Sequence, residues 1–235
     1  TKRHNSEDFL AFLGCEWSPY TEDGGDRNVL YLTDQERLHR SDRFFEEATP
    51  DPTADLRRAP EFLDAFRTRD VLLNLHVGGR PTNLDFHAPQ IEPLFEVHST
   101  HATSEWFLLD AISRGYKVGV TAGTAGVMGR PGACGPGRRV TRNVRNGLTA
   151  VCAVSLTQRH VADAFFARRC YGTSGARILL DVDVNGEPMG GEVQMTAGTV
   201  RISVQVEGTA PIERVDFFRG VELISSQKMS DDDSD

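Results

Sequence analysis

Glu16, His76 and His98 each close an apolar run of strand length. A side chain that follows a buried strand projects from the rim of its sheet, so the three are predicted to converge on one rim. One carboxylate and two imidazoles make a donor set suited to a divalent transition metal such as Zn, Mn or Fe. Gly78-Gly79, just past His76, allows close backbone approach to such a site. Each histidine alone has a plainer reading as a hydrogen-bonded residue at a strand end. His101, three residues after His98, is a second candidate in the same loop. Glu105 is another, although a carboxylate at a helix start is also explained by the macrodipole. Asp26-Arg27 reads as an ion pair within a loop or, less simply, as a substrate clamp. Arg130, before Pro131-Gly132, reads as an anion holder or as a guanidinium bracing a turn.

These residues need elements to position them. Asn28–Leu32, Val71–Leu75, Pro93–Val97, Val118–Ala122 and Leu148–Val154 read as buried strands. Helices are predicted over Pro60–Thr68, Ser104–Gly115 and Thr157–Arg169. Strand and helix alternate, which predicts an α/β layer structure with parallel strands. Beyond about residue 176 the pattern becomes short strands divided by Asn185-Gly186, Gly198 and Gly208. Val200, Ile202, Val204 and Val206 alternate with polar residues, predicting an antiparallel unit with one wet face. The expected division is 1–175 for the α/β domain, 176–226 for the β unit and 227–235 for an acidic, solvated tail.

The net charge of −8 and the four carboxylates in Ser230–Asp235 argue against nucleic acid as a partner. Arg138, Arg139, Arg142 and Arg145 form only a local basic patch, read as a solvated face. No apolar run is long enough for a transmembrane helix and the first residues lack a signal peptide, so no membrane partner is expected. Four dispersed cysteines give no disulfide framework, which predicts a reducing, cytoplasmic setting. The Gly-rich loop Thr121–Ala133 follows a strand as a catalytic loop would, yet holds no Asp, Glu, His or Ser.

A series of segments carries a resemblance: Glu16-Trp-Ser18, Gly25-Asp-Arg-Asn-Val29, His76-Val-Gly-Gly-Arg80, Glu96-Val-His-Ser99, Arg114–Gly119 and Gly129–Ala133, in that order. Together they resemble an uncharacterised family of the PHP (polymerase and histidinol phosphatase) superfamily of metal-dependent hydrolases, over about residues 9–190. The resemblance implies a distorted (β/α)7 barrel with a two- or three-metal centre whose bound water attacks a phosphoester. It implies Glu16, His76 and His98 as metal ligands; with such a site, Arg27, His101 and Arg130 are expected to bind a small anionic substrate. Two departures follow. The family's opening His-x-His is missing, as though the chain began partway into the domain. The family's Ser-Asp-x-His loop reads Thr124-Ala125-Gly126-Val127, so Ala125 and Val127 stand at vacated ligand positions. The resulting expectation is a degenerate or truncated phosphoesterase-type domain with reduced metal occupancy. Its rival is a non-catalytic binding or structural protein on that scaffold, completed by a partner chain or by oligomerisation that covers its open edges.

Overall fold

In the first strands, apolar residues recur at every second position, which gives a sheet two unlike faces. The computed structural model describes residues 5–33, 38–41, 51, 54–66, 70–126, 146–194 and 198–229. Strands β1 (Leu13–Trp17), β2 (Arg27–Tyr31), β3 (Val71–His76), β4 (Leu94–His98) and β5 (Gly119–Ala122) form a five-stranded sheet in that order. The pairs β1–β2 and β2–β3 are antiparallel, whereas β3–β4 and β4–β5 are parallel. Strands β1, β3, β4 and β5 therefore run in one direction, and their C-terminal ends share one edge.

One face is apolar apart from the buried Arg27. Trp17, Val29, Tyr31, Leu73, Leu75 and Phe95 point into a core closed by α1 (Ala59–Ala65) and α2 (Glu105–Ser113). Trp17 stacks on Phe62 with centroids 4.1 Å apart, and its indole nitrogen donates to the Leu56 carbonyl at 2.8 Å. Phe95 stacks on Phe107 of α2 at 5.0 Å. Burying each such side chain contributes about 1.5–3 kcal/mol. The opposite face is divided along its length. Leu30, Leu72 and Leu94 pack with Cys170, Phe165 and Phe166 near α3 (Gln158–Phe166). Nearer the C-terminal edge the same parity brings Glu16, Asn28, Asn74, His76, Glu96 and Thr121 onto that face.

The sheet stops at β5. Ala122 gives its N–H to Thr149 Oγ1 at 2.9 Å and takes that hydroxyl's proton on its carbonyl at 2.7 Å. A side chain thus occupies the backbone groups of Ala122, the last residue of β5, in place of a sixth strand. Strands β6 (Leu148–Val151) and β7 (Cys170–Thr173) instead pair antiparallel with each other. Strands β8 (Leu179–Val184), β9 (Glu187–Pro188) and β10 (Ile202–Glu207) form a three-stranded sheet in the order β10-β8-β9. The β8–β9 turn places Asn185 and Gly186 at φ 55° and 83°, the left-handed pair that a tight hairpin requires. Strands β11 (Arg214–Arg219) and β12 (Glu222–Lys228) make a separate hairpin.

This architecture corrects the expected (β/α)7 barrel. The described residues contain three α-helices and several small sheets, and no sheet closes on itself. The physical reason lies in the connections. Only a 3-10 turn, Thr21–Asp23, separates β1 from β2, so the chain reverses instead of crossing over. Between the parallel strands β3 and β4 there is no helix. Helix α3 joins the antiparallel β6 and β7 instead of two parallel neighbours.

Candidate metal centre

The edge where β1 and β3 end and β2 begins gathers three ligand-type side chains. One ligand atom from each of Glu16, Asp26 and His76 lies within 4.8 Å of the other two. Register explains the grouping. Arg27 pairs with Leu75 and Trp17 with Arg27, so the next row holds Ser18, Asp26 and His76 side by side. Glu96 of β4 pairs with His76 and extends the row.

Asp26 is held from several directions. Ser18 Oγ donates to its Oδ1, and the Arg80 backbone N–H donates to Oδ2 at 2.9 Å. Its own N–H donates to the Arg80 carbonyl at 2.8 Å, and Thr82 Oγ1 donates to its carbonyl. Each carboxylate oxygen retains a lone pair, so Asp26 is oriented and still able to ligate. Gly78 makes the approach possible: a Cβ there would lie 2.5 Å from Asp26 Oδ2 and 2.8 Å from His76 Cε1.

His76 is 5 % exposed, and its Nε2 has no hydrogen-bond partner. That atom lies 3.6 Å from Glu16 Oε2, too far for a hydrogen bond. A buried ring nitrogen left unsatisfied is costly unless something else binds it. Burial holds His76 below its usual range; Asp26 pulls it back up and the charge of His101 lowers it further. Glu16 is raised by burial and then by Asp26, against the lowering influence of Arg80. Glu96, its carboxylate lying against Gly123, is pushed up to about 7 by burial and by Glu16. Carboxyl groups are therefore crowded here with little positive charge among them.

Of the sequence-predicted metal ligands, Glu16 and His76 come together. His98 is not among the clustered residues; its Nδ1 meets Thr103 Oγ1 at 2.7 Å, tying down the loop after β4. His101, from that loop, lies near enough to His76 for its charge to be felt. Arg27 is fully buried on the opposite, apolar side. Its Nε donates to Glu92 Oε1 at 2.7 Å, and its other nitrogens donate to the carbonyls of Gly24, Gly25 and Phe86. Neighbours on a strand face opposite ways, so Asp26 and Arg27 do not pair with each other. Ala125 sits at φ 41°, with its carbonyl accepting from Thr100 Oγ1 at 3.4 Å. Val127 and Arg130, like the basic patch at 138–145, fall outside the described residues.

Sequence reasoning missed Asp26 as a member of this cluster, as well as Glu96 and Arg80 beside it. Glu96 shares the parity of Leu94 on a strand with a divided face, a signal that was there to read. Arg80 is exposed, packs over the Tyr20 ring at 4.8 Å and donates to the Ser18 carbonyl.

No family model matches the chain, and no solved structure matches it. The chain is similar to an uncharacterised protein of Chlamydia pneumoniae, 35% identical over 83 residues, or 33% of this chain. An uncharacterised protein of Chlamydia trachomatis serovar D is 32% identical over 83 residues, and one of Chlamydia muridarum is 33% identical over 78. Each match spans 13% of the relative's own length. The resemblance to the PHP superfamily is overturned by these findings together with the open, mostly β architecture. What the comparisons establish is local similarity to part of these longer chlamydial proteins.

Proposed function

We propose that the chain binds one divalent cation on Glu16, Asp26 and His76, and that the site is of the open, water-activating kind. The observation that supports this reading is the buried His76, its Nε2 without a hydrogen-bond partner, clustered with two carboxylates within bridging distance of a single ion. Ligand atoms up to 4.8 Å apart can be joined by an ion with bonds of about 2.0–2.4 Å after small adjustments. Two hard oxygens and one imidazole favour Mn, Fe or Zn over Ca or Cu(I). Three protein ligands leave a coordination position open, the arrangement typical of catalytic and not structural sites. The Glu16 side chain is 52 % exposed, so the cluster opens to solvent on that side.

A bound ion would supply Lewis acidity and an activated water. The chain's own residues would do the rest. Asp26, held by Ser18 and Arg80, fixes the geometry; Glu96 brings a further carboxyl to the cluster. Arg80 offers an exposed cation beside Glu16 for an anionic substrate. The reading is thus a metal-dependent hydrolase acting on a small anion. A cytoplasmic setting fits the free thiols of Cys15, Cys152 and Cys170. Among the described residues, no helix is long and apolar enough to cross a membrane.

Thermal unfolding with added Mn or Zn tests the binding step. A ligand at 100 times its Kd stabilises by about 2.7 kcal/mol, and Asp26→Asn should abolish that gain. Turnover of chromogenic phosphoesters and carboxylic esters, with and without Arg80→Ala, tests the activity. Metal-induced stabilisation without any turnover would leave a binding site and remove the hydrolase.

A further inference from the structure

Strand β10 is the outer strand of its sheet. It pairs with β8 on one side and, among the described residues, with nothing on the other. Proteins ordinarily blunt such an edge with a proline, a charge, a bulge or a covering segment. Residues 202–206 contain no proline and no charge. Their register with β8 runs unbroken from Ile202↔Val184 to Glu207↔Leu179. The exposed strand β12 differs, because its pairing is interrupted by a register shift between Phe217 and Phe218.

The sequence Arg201-Ile-Ser-Val-Gln-Val-Glu207 has the same chemical pattern from either end, with the terminal charge inverted. Antiparallel pairing with a second copy about a two-fold axis at Val204 sets Arg201 opposite Glu207 of the partner subunit. It also sets Ile202 opposite Val206 of the partner subunit, Ser203 opposite Gln205 of the partner subunit, and Val204 opposite its own counterpart. Opposite charges and like-with-like side chains at facing positions are what stabilise a strand pair. Arg201 and Glu207 are both exposed, and neither has an ion-pair partner among the described residues.

The faces agree with this register. Ile202, Val204 and Val206 lie on one side with Leu180, Val182 and Val184 of β8. None of the six is fully buried, and Ile202 is 39 % exposed. A cleft of about 460 Å³ lies at the Leu179–Glu207 end of the strand pair, lined by Val151, Leu180 and Val206 together with Asp181, Gln205 and Glu207. The proposed pairing brings Ile202 of the partner subunit next to Val206 at the cleft. We propose that β10 is a self-association edge, through which two copies join their three-stranded sheets into one continuous antiparallel sheet. The proposal is independent of the metal centre, which belongs to a different sheet.

Sedimentation velocity of the full chain over a concentration series reads the outcome, with a dimer expected. Arg201→Glu alone and Glu207→Arg alone each place like charges at both ends of the symmetric pairing. Each should raise the dissociation constant about ten-fold. The double variant Arg201→Glu/Glu207→Arg restores opposite charges and should recover the dimer. Both positions are exposed, so circular dichroism should be unchanged. A monomer at every concentration, a dimer indifferent to the single changes, or a double variant no better than the singles would each overturn the proposal.

Discussion

Asp26 and Arg27 are adjacent in sequence and serve opposite sides of the sheet. Asp26 faces the polar cluster, whereas Arg27 is sealed in the core against Glu92. Removing one partner of a buried ion pair costs about 3–5 kcal/mol, because the other charge stays behind without compensation. Arg27→Met should therefore lower stability by about that amount in urea titration, whereas a guanidinium reserved for substrate would leave stability unchanged. Glu96 makes a pH prediction. Its pKa, raised from 4.5 to about 7, contributes stability that is complete below about pH 4.5 and is lost as pH rises through 7. For the metal-free protein the loss is at most about 3 kcal/mol, and Glu96→Gln should flatten it in unfolding curves recorded across that range. His76 acts in the opposite sense, since its lowered pKa gives stability that is lost as pH falls below its ordinary 6.5. His76→Gln separates the two contributions. Glu16 and His76 were legible because an ionisable residue ending an apolar run stands out. Asp26 was not, because it lies just before a strand and after two glycines, and only antiparallel pairing brings a strand's start to its neighbour's end.

Most strands and all three helices of the fold were legible as elements, because apolar period and turn residues are local signals. Thr157 caps α3 by accepting from the His160 N–H at 3.2 Å. Thr157→Ala should cost about 1 kcal/mol in chemical denaturation. Strand direction was less legible. An apolar run such as Val71–Leu75 looks the same in a parallel or an antiparallel sheet, and alternation with helices suggested crossovers that the chain does not make. The short stretch 18–26 between β1 and β2 was the available clue, since a parallel connection usually needs a dozen residues or more. Strand β7 was missed because Cys170–Thr173 follows a helix closely, and its pairing depends on the distant Leu148–Val151. At the edge of β5 the Thr149 hydroxyl takes up the backbone groups of Ala122, a tertiary contact that no local period encodes.

At the scale of the whole molecule, two separable surfaces stand out. The cluster at the C-terminal edge of the five-stranded sheet is read as a cation site, and the β10 edge as a contact between copies. Asp26→Asn should therefore leave self-association unchanged, and Arg201→Glu should leave cation binding unchanged, when each variant is tested in both assays. Glu16, Asp26 and His76 are proposed to hold one ion. Metal analysis after equilibrium dialysis against Mn or Zn tests this proposal most directly, using the wild type, Asp26→Asn and His76→Ala, each checked for folding by circular dichroism. About one ion per wild-type chain is expected, with a large loss in both folded variants. A folded wild type that retains no ion, or variants that bind as well as the wild type, would contradict it.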